Sequence, residues 1–197
     1  SRKFLDILKS LPGTEQVTIE IGDSKATIRS GKSRFVLATL PGGDFPYQES
    51  ETSYDCNVSA EVLDTLINQT AFSMAVQDAR HFLNGLFFEV TDSRITVVAT
   101  DGHRLSMSAS DLKNSAEKTS CIIPRKCIME IKRILTSFKD NKEILVDFNI
   151  TKSDIFIKIG QYIIKSKLIE GSYPDYNKVF PESLPHKLDV NKDELKL

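Results

Sequence analysis

Cysteine and histidine are both scarce in this sequence, with three of each in 197 residues. Cys56, Cys121 and Cys127 are an odd number without close pairing, which argues against a disulfide framework. No C-x-x-C occurs and His81, His103 and His186 are scattered, so the ligand spacing of a structural metal site is missing. No apolar run approaches the roughly 18 residues of a membrane span, and no signal-peptide pattern opens the chain. The cytoplasm is the default compartment. Charge of one sign is not in excess either: Lys and Arg total 26 against 27 Asp and Glu, a net charge of -1. Any binding of phosphates must then come from local placement of charge, not from the total. Asn57, Asn68 and Asn149 match the glycosylation pattern, which means little without a secretory signal.

What is present is the composition of an ordinary globular protein, 40% hydrophobic and 27% charged, and an internal repeat. Residues 1–46, "SRKFLDILKS…DFP", run parallel to residues 124–174, "PRKCIMEIKR…SYP". Both open with Arg-Lys on a helix, pass through three strand-like runs and close on an aromatic-Pro pair, Phe45-Pro46 and Tyr173-Pro174. Alternation and β-branching give the strands "QVTIEI", "KATIRS" and "RFVLATL" in the first copy, and "EILVDF", "DIFIKI" and "YIIKSKLI" in the second. Short polar joints such as Gly22-Asp23-Ser24 and Thr151-Lys152-Ser153 suit hairpin turns.

A weaker echo links residues 55–66 to 187–197: an extended segment meets a good N-cap, Ser59 or Asn191, and a helix follows. Between them "NGLFFEVTD", "RITVVATDGHRLSMSAS" and "SCIIP" supply three more strands, the middle one running into and out of the polar turn Asp101-Gly102-His103-Arg104. The predicted unit is one helix packed on a small antiparallel sheet, an α+β architecture. One complete domain is built from two such halves, preceded by the last half of a similar domain and followed by the first residues of a third. Linkers are expected over 40–50 and 181–185, where Pro and Gly gather. The chain opens inside a helix without an initiating Met and stops as another helix starts, as expected of a piece of something longer.

At 100° per residue, the helix predicted over Arg125 to Lys139 carries Ile128, Ile131, Ile134, Leu135 and Phe138 on one arc. Arg125, Lys126, Lys132, Arg133 and Lys139 occupy the other, where Glu130 is the only acid before Asp140. The first helix repeats this with Phe4, Leu5, Ile7, Leu8 and Leu11 opposite Arg2, Lys3 and Lys9, joined by Asp6. A solvated face explains one such helix. A basic back recurring in two repeats of a near-neutral protein fits a surface that holds a phosphate backbone without reading bases.

"ATDGHRL", "NGLFFE", "IIPRK", "SKLIEGSYPDYNKVFP" and "SGKSRFVLATLP" resemble, in order along the chain, the bacterial sliding clamp family, the β subunit of the replicative DNA polymerase. The resemblance implies a DNA-clamp fold: a head-to-tail dimeric ring of similar domains, helices lining the hole and sheets outside. Residues 1–47 then stand for the C-terminal half of domain 1, 48–185 for the complete domain 2, and 186–197 for the start of domain 3. It also implies a pocket for short linear motifs of polymerases, the clamp loader and repair proteins, made by Leu83, Thr100, Gly102, His103, Arg104, Leu105, Pro174, Lys178 and Val179. Leu83, Leu105, Pro174 and Val179 offer an apolar hollow, Gly102 a tight bend, and His103 and Arg104 donors. Lys178 departs from the family's arginine, which removes a planar bidentate contact.

By the same resemblance Arg2, Gln77, Arg80, His81, Arg125 and Lys126 face double-stranded DNA, with His81-Phe82 standing where the family often has tyrosines. Lys32, Arg34, Phe35 and Leu37 form the dimer edge, and their alternation fits an exposed strand awaiting a partner. No cofactor and no catalysis are implied.

Two other classes compete. In an enzyme, Asp101 and His103 would be an orienting acid and a general base, but no motif places a nucleophile, and Ser106 and Cys121 lack a nucleophile elbow. The turn is equally a well-made hairpin. A peptide-binding adaptor that never touches DNA would leave the basic helix backs without a role.

Overall fold

The computed structural model describes residues 2–13, 16–45, 54, 56–112, 117–138, 143–181, 183 and 185–196. Lys139 and Asp140 of the basic helix, Pro46, and parts of the two expected linkers lie outside the described residues. The chain divides into two compact units, Ser1–Glu51 and Thr52–Leu197.

In the first unit the helix α1 (Arg2–Ser10) precedes a meander of β1 (Thr18–Ile21), β2 (Lys25–Ser30) and β3 (Ser33–Ala38), paired in the order β1-β2-β3. The joint at 22–24 is closed by Gly22 N–H donating to the Lys25 carbonyl at 2.8 Å. Ser30 pairs with Ser33, leaving Gly31 and Lys32 as the turn, with Gly31 at φ 52. Burial here is thin: Thr27, Ile28 and Ser30 are buried, whereas α1 buries no residue and Leu5 is half exposed. The apolar stripe of α1 is thus only partly covered, with Phe4, Ile7 and Leu8 half-buried.

The second unit carries the duplication. Its first half runs β4 (Cys56–Ser59), α2 (Ala60–Thr70), β5 (Gly85–Thr91), β6 (Arg94–Thr100) and β7 (Leu105–Asp111). The second runs β8 (Thr119–Pro124), α3 (Arg125–Thr136), β9 (Leu145–Ile150), β10 (Asp154–Ile159) and β11 (Tyr162–Lys167), and a short α4 (Lys192–Leu195) follows. The halves exchange their leading strands. The sheets are ordered β7-β6-β5-β8 and β11-β10-β9-β4, so β8 completes the first half's sheet and β4 the second's. Neither half can close its own sheet, which makes the domain one cooperative unit.

The outward chemistry of the strands follows their period of two. In β5, Leu86, Phe88 and Val90 are buried while Phe87 and Glu89 are half-buried on the other face. Ile95 and Val97 of β6, Val146 and Phe148 of β9, and Ile155, Ile157 and Ile159 of β10 join the same core. Leu63, Leu66 and Ile67 of α2 and Ile128, Ile131, Ile134 and Leu135 of α3 close it. Phe88 and Phe148, rings 5.3 Å apart, link the two sheets through it. Each such side chain contributes roughly 1.5–3 kcal/mol on burial.

Several sequence expectations need adjustment. The run 94–110 is two strands joined by 101–104, so the three segments make four strands; one polar turn suffices to reverse the chain. The helix expected to reach Lys139 ends at Thr136. There Ser137 N–H donates to the Ile134 carbonyl at 2.9 Å and Phe138 N–H to that of Leu135 at 3.0 Å, the tighter spacing of a closing turn. Ser59 caps α2 by accepting Val62 N–H at 3.3 Å, and Asn191 caps α4 by accepting Asp193 N–H at 2.8 Å, as their positions predict. Residues 187–190 form no strand. No helix of the described residues is long and apolar enough to cross a membrane.

Candidate functional site

The turn between β6 and β7 is held by its own acid. Asp101 Oδ1 accepts the N–H of His103 at 2.9 Å and of Arg104 at 3.0 Å, and Oδ2 accepts Arg104 Nε at 3.2 Å. The two backbone donors, His103 first, keep the Asp101 carboxyl below the usual carboxylate range. Thr100 Oγ1 donates to the Arg104 carbonyl at 2.6 Å and accepts Gly102 N–H at 3.0 Å. Gly102 sits at φ 88, the left-handed region that favours glycine. Arg104 Nη2 donates to the Phe72 carbonyl at 2.5 Å, so this guanidinium braces the turn from within.

A second turn meets the first. Asn84 closes the 78–84 loop by accepting Asp78 N–H at 2.9 Å and donating to the Asp78 carbonyl at 2.8 Å. Arg80 donates from Nε to Asp78 Oδ1 at 3.0 Å and from Nη2 to Oδ2 at 2.9 Å, a bidentate pair. Hydrogen bonds from Arg80 lower the Asp78 pKa to about 2. Arg80 Nη2 also donates to the Asp101 carbonyl at 3.1 Å, joining the two turns.

The third element is the segment 171–180, laid over the outer face of β5 and β6. Tyr173 stacks on Phe87 with centroids 4.8 Å apart, and Tyr176 Oη donates to Glu89 Oε2 at 2.8 Å. Asp175 accepts Asn177 N–H at 3.2 Å, starting the short turn Tyr176–Val179.

These elements surround a hollow of about 310 Å³ lined by Arg80, Phe82, Leu83, Thr100, Gly102, His103, Arg104, Leu105, Tyr173, Pro174, Tyr176 and Val179. Eight of the nine residues expected in the pocket meet there. Lys178 does not: it is exposed and pairs with Asp175 at 3.3 Å. Phe82, Tyr173 and Tyr176 line the hollow without having been singled out for it; the aromatic-Pro pair that marks the repeat was the available signal. Arg80, expected on the DNA face, also lines the hollow. A larger cavity of about 540 Å³ shares Tyr173 but includes Lys152, Glu170 and serines, and gathers none of the expected pocket residues.

The other expected residues fall into three places. Gln77 (φ 56) and His81 are exposed near the 78–84 turn, which Arg125 N–H ties to α3 by donating to the Asn84 carbonyl at 3.1 Å. Lys126 is exposed on the next residue, and Arg133, further along α3, pairs with Glu130 at 2.5 Å. In the first unit Arg2, Lys32 and Arg34 are exposed, and Phe35 and Leu37 are half-buried on β3, an edge strand.

The chemistry of an acid–base pair is not what the turn offers, because Asp101 meets the backbone N–H of His103 and the amide and side chain of Arg104. Burial pushes the Cys121 thiol to about 12, so it is protonated at neutral pH. Ser106 Oγ lies 2.7 Å from Ser73 Oγ, with no base between them.

A duplicated α+β domain with strand-exchanged halves and an apolar hollow rimmed by two polar turns defines a clamp-type domain. The family model for the DNA polymerase III beta subunit, central domain, matches residues 57–175, and that for its N-terminal domain matches residues 1–49. The chain therefore belongs to the DNA polymerase III beta subunit family, the bacterial sliding clamps. It is 37% identical over all 197 residues to the beta sliding clamp of Proteus mirabilis and 36% identical to that of Escherichia coli K12, in each case covering 53% of the relative. The crystal structure of the DNA polymerase III subunit beta from Pseudomonas aeruginosa superposes with a TM-score of 0.81 at 38% identity, covering 92% of this chain and 49% of that one. The chain spans about half the length of the curated relatives it matches.

Proposed function

We propose that the hollow is a docking site for short apolar linear motifs of DNA polymerases, the clamp loader and repair proteins, within a ring that slides on duplex DNA. The observation that carries this reading is the convergence of Leu83, Leu105, Pro174 and Val179, from three separate stretches of sequence, on one hollow with polar turns at its rim. An apolar floor supplies affinity and a few fixed polar groups supply orientation. Arg80 and Arg104 are committed to Asp78, Asp101 and Phe72, so the rim is preorganised and peptide recognition rests mainly on apolar side chains.

In this reading 1–47 is the C-terminal half of domain 1, 48–185 domain 2, and 186–197 the start of domain 3. Gln77, Arg80, His81, Arg125, Lys126 and, on α1, Arg2 face the duplex. Contacts of that kind are salt-sensitive and indifferent to sequence, which lets a ring move along DNA. Lys32 in the β2–β3 turn and Arg34, Phe35 and Leu37 on the edge strand β3 form the dimer contact. Processivity comes from topology, with no bond made or broken and no cofactor, and the work is done in the cytoplasm where the DNA is.

A peptide adaptor without DNA contact is the second reading. It is favoured by the pairing of Arg80 with Asp78 and of Arg133 with Glu130, which weakens the basic face.

Titration of the peptide Gln-Leu-Ala-Leu-Phe against the chain and its Leu105→Ala, Val179→Ala variant tests the hollow. Loss of the two side chains is expected to weaken binding by about tenfold or more; equal affinity refutes the assignment.

A further inference from the structure

The segment 171–180 supplies Tyr173, Pro174, Tyr176 and Val179 to the hollow, yet it belongs to no strand. Its main chain is last tied to the domain core where Leu168 N–H donates to the Ser153 carbonyl and Ile169 N–H to that of Ile122, each at 2.9 Å. Beyond Ile169, through residue 180, the main chain makes no hydrogen bond to the sheet among the described residues, and Gly171 turns away at φ 134. What then fixes this wall is side-chain contact with the outer face of the sheet.

Those contacts are specific. Phe87 and Glu89, two residues apart on β5, share that face by the strand period. The Tyr173 ring lies 13° from parallel to Phe87, and its Oη donates to the Val98 carbonyl at 3.4 Å. Val98 pairs with Phe87 across β5 and β6 and is fully buried, although it stands apart from the main core cluster. Tyr173 thus meets both members of this cross-strand pair, the Phe87 ring and the Val98 carbonyl. Tyr176 reaches Glu89 Oε2 at 2.8 Å, with its ring 6.0 Å from Phe87. Burial, followed by the neighbouring Glu89 carboxylate, raises the Tyr176 phenol to about 12, so it remains the donor at every working pH.

We infer that Phe87 and Glu89, which do not line the hollow, are positioning residues for peptide docking: they clasp Tyr173 and Tyr176 and so hold Pro174 and Val179 at binding distance. The inference rests on the reading of the hollow as a peptide site. A wall held by one stack, one charged hydrogen bond and the longer Tyr173–Val98 bond is preorganised, and release of the stack or the charged bond leaves it to be ordered at the expense of affinity.

The test is calorimetric titration of Gln-Leu-Ala-Leu-Phe against the full chain and its Tyr176→Phe, Glu89→Ala, Glu89→Gln and Tyr176→Phe/Glu89→Ala variants, with Leu105→Ala as control. Tyr176→Phe and Glu89→Ala are each expected to weaken binding about fivefold to tenfold. The double variant should be no weaker than the worse single one, because both remove the same bond. Glu89→Gln, which keeps an acceptor oxygen, should restore most of the affinity. Hydrogen exchange should quicken over 172–180 in the weakened variants while β5 and β6 stay protected. Parent affinity in Tyr176→Phe and Glu89→Ala while Leu105→Ala loses binding overturns the clasp. Parent affinity in Leu105→Ala as well overturns the hollow itself.

Discussion

The guanidinium of Arg80 occupies the space into which a side chain at Gly102 would grow: a Cβ built on Gly102 would stand 2.9 Å from Arg80 Nη1. Residue 102 is thus held as glycine by its φ of 88, while a side chain there would displace the flexible Arg80 guanidinium. Gly102→Ala is expected to cost about 1–2 kcal/mol from the backbone alone and to push Arg80 off the Asp101 carbonyl. Chemical denaturation checks the first effect. Weaker binding of the pentapeptide, with the Arg80 Nε signal shifted in a nitrogen-detected spectrum, checks the second.

Gly85 is fixed by packing instead. A Cβ there would lie 2.6 Å from the Ile123 carbonyl oxygen and 2.8 Å from Ile122 Cγ2, on the strand that the second half lends to the first half's sheet. Backbone cannot yield as a flexible side chain can. Gly85→Ala should part β5 from β8 and destabilise the domain by about 1–3 kcal/mol. Because β8 runs straight into α3, loss of protection in hydrogen exchange should appear at 119–136 together.

Asp78 gives the rim of the hollow a pH limit. Its folded pKa, about 2 against an ordinary 3.8, is depressed mainly by the hydrogen bonds from Arg80. A depressed carboxylate contributes stability that is complete above the ordinary value and is lost as pH falls through the folded one. The contact between the two turns should accordingly hold at pH 5 and above and fade between about 4 and 2. Asp78→Asn should remove this acid limb and weaken peptide binding at neutral pH, and a titration followed at the Asp78 carboxyl carbon gives the midpoint directly.

The α3 surface separates the two readings of function. Glu130 pairs with Arg133, whereas Lys126 is exposed with no ion pair among the described residues. Lys126→Glu should weaken binding of a short linear duplex and lower its salt slope by about 1. Glu130→Gln should act oppositely by freeing Arg133. If neither variant changes duplex binding at low salt, the adaptor reading gains and the DNA-facing role of α3 falls.

Much of this was legible along the chain because it depends on neighbours in sequence. Alternation and β-branching in "KATIRS" and "DIFIKI" gave β2 and β10 their full extents, because strand propensity acts on the residues themselves. Ser59 and Asn191 announced their helices because capping is chemistry over three residues. Other features were not legible. The exchange of β4 and β8 pairs strands separated by whole helices, and no local pattern encodes a partner at that distance. That Arg80 also reaches Gly102 and the hollow depends on Asp78, two positions away, which fixes its side chain by a bidentate pair. Lys178 sits between lining residues in sequence, yet the short turn at 176–179 points it outward to Asp175.

The sequence by itself determined the repeat, the α+β class, the helix backs that carry positive charge and the identity of most residues at the hollow. The first three rest on periodicity and turn chemistry, which act over a few residues, and the last on the resemblance to the sliding clamp family. Only the tertiary structure decided that the hollow has three walls, that two arginines brace it, and that one wall is an irregular segment held by Phe87 and Glu89. Those relations join residues far apart in the chain, and it is packing across the closed core that brings them within hydrogen-bonding and stacking distance.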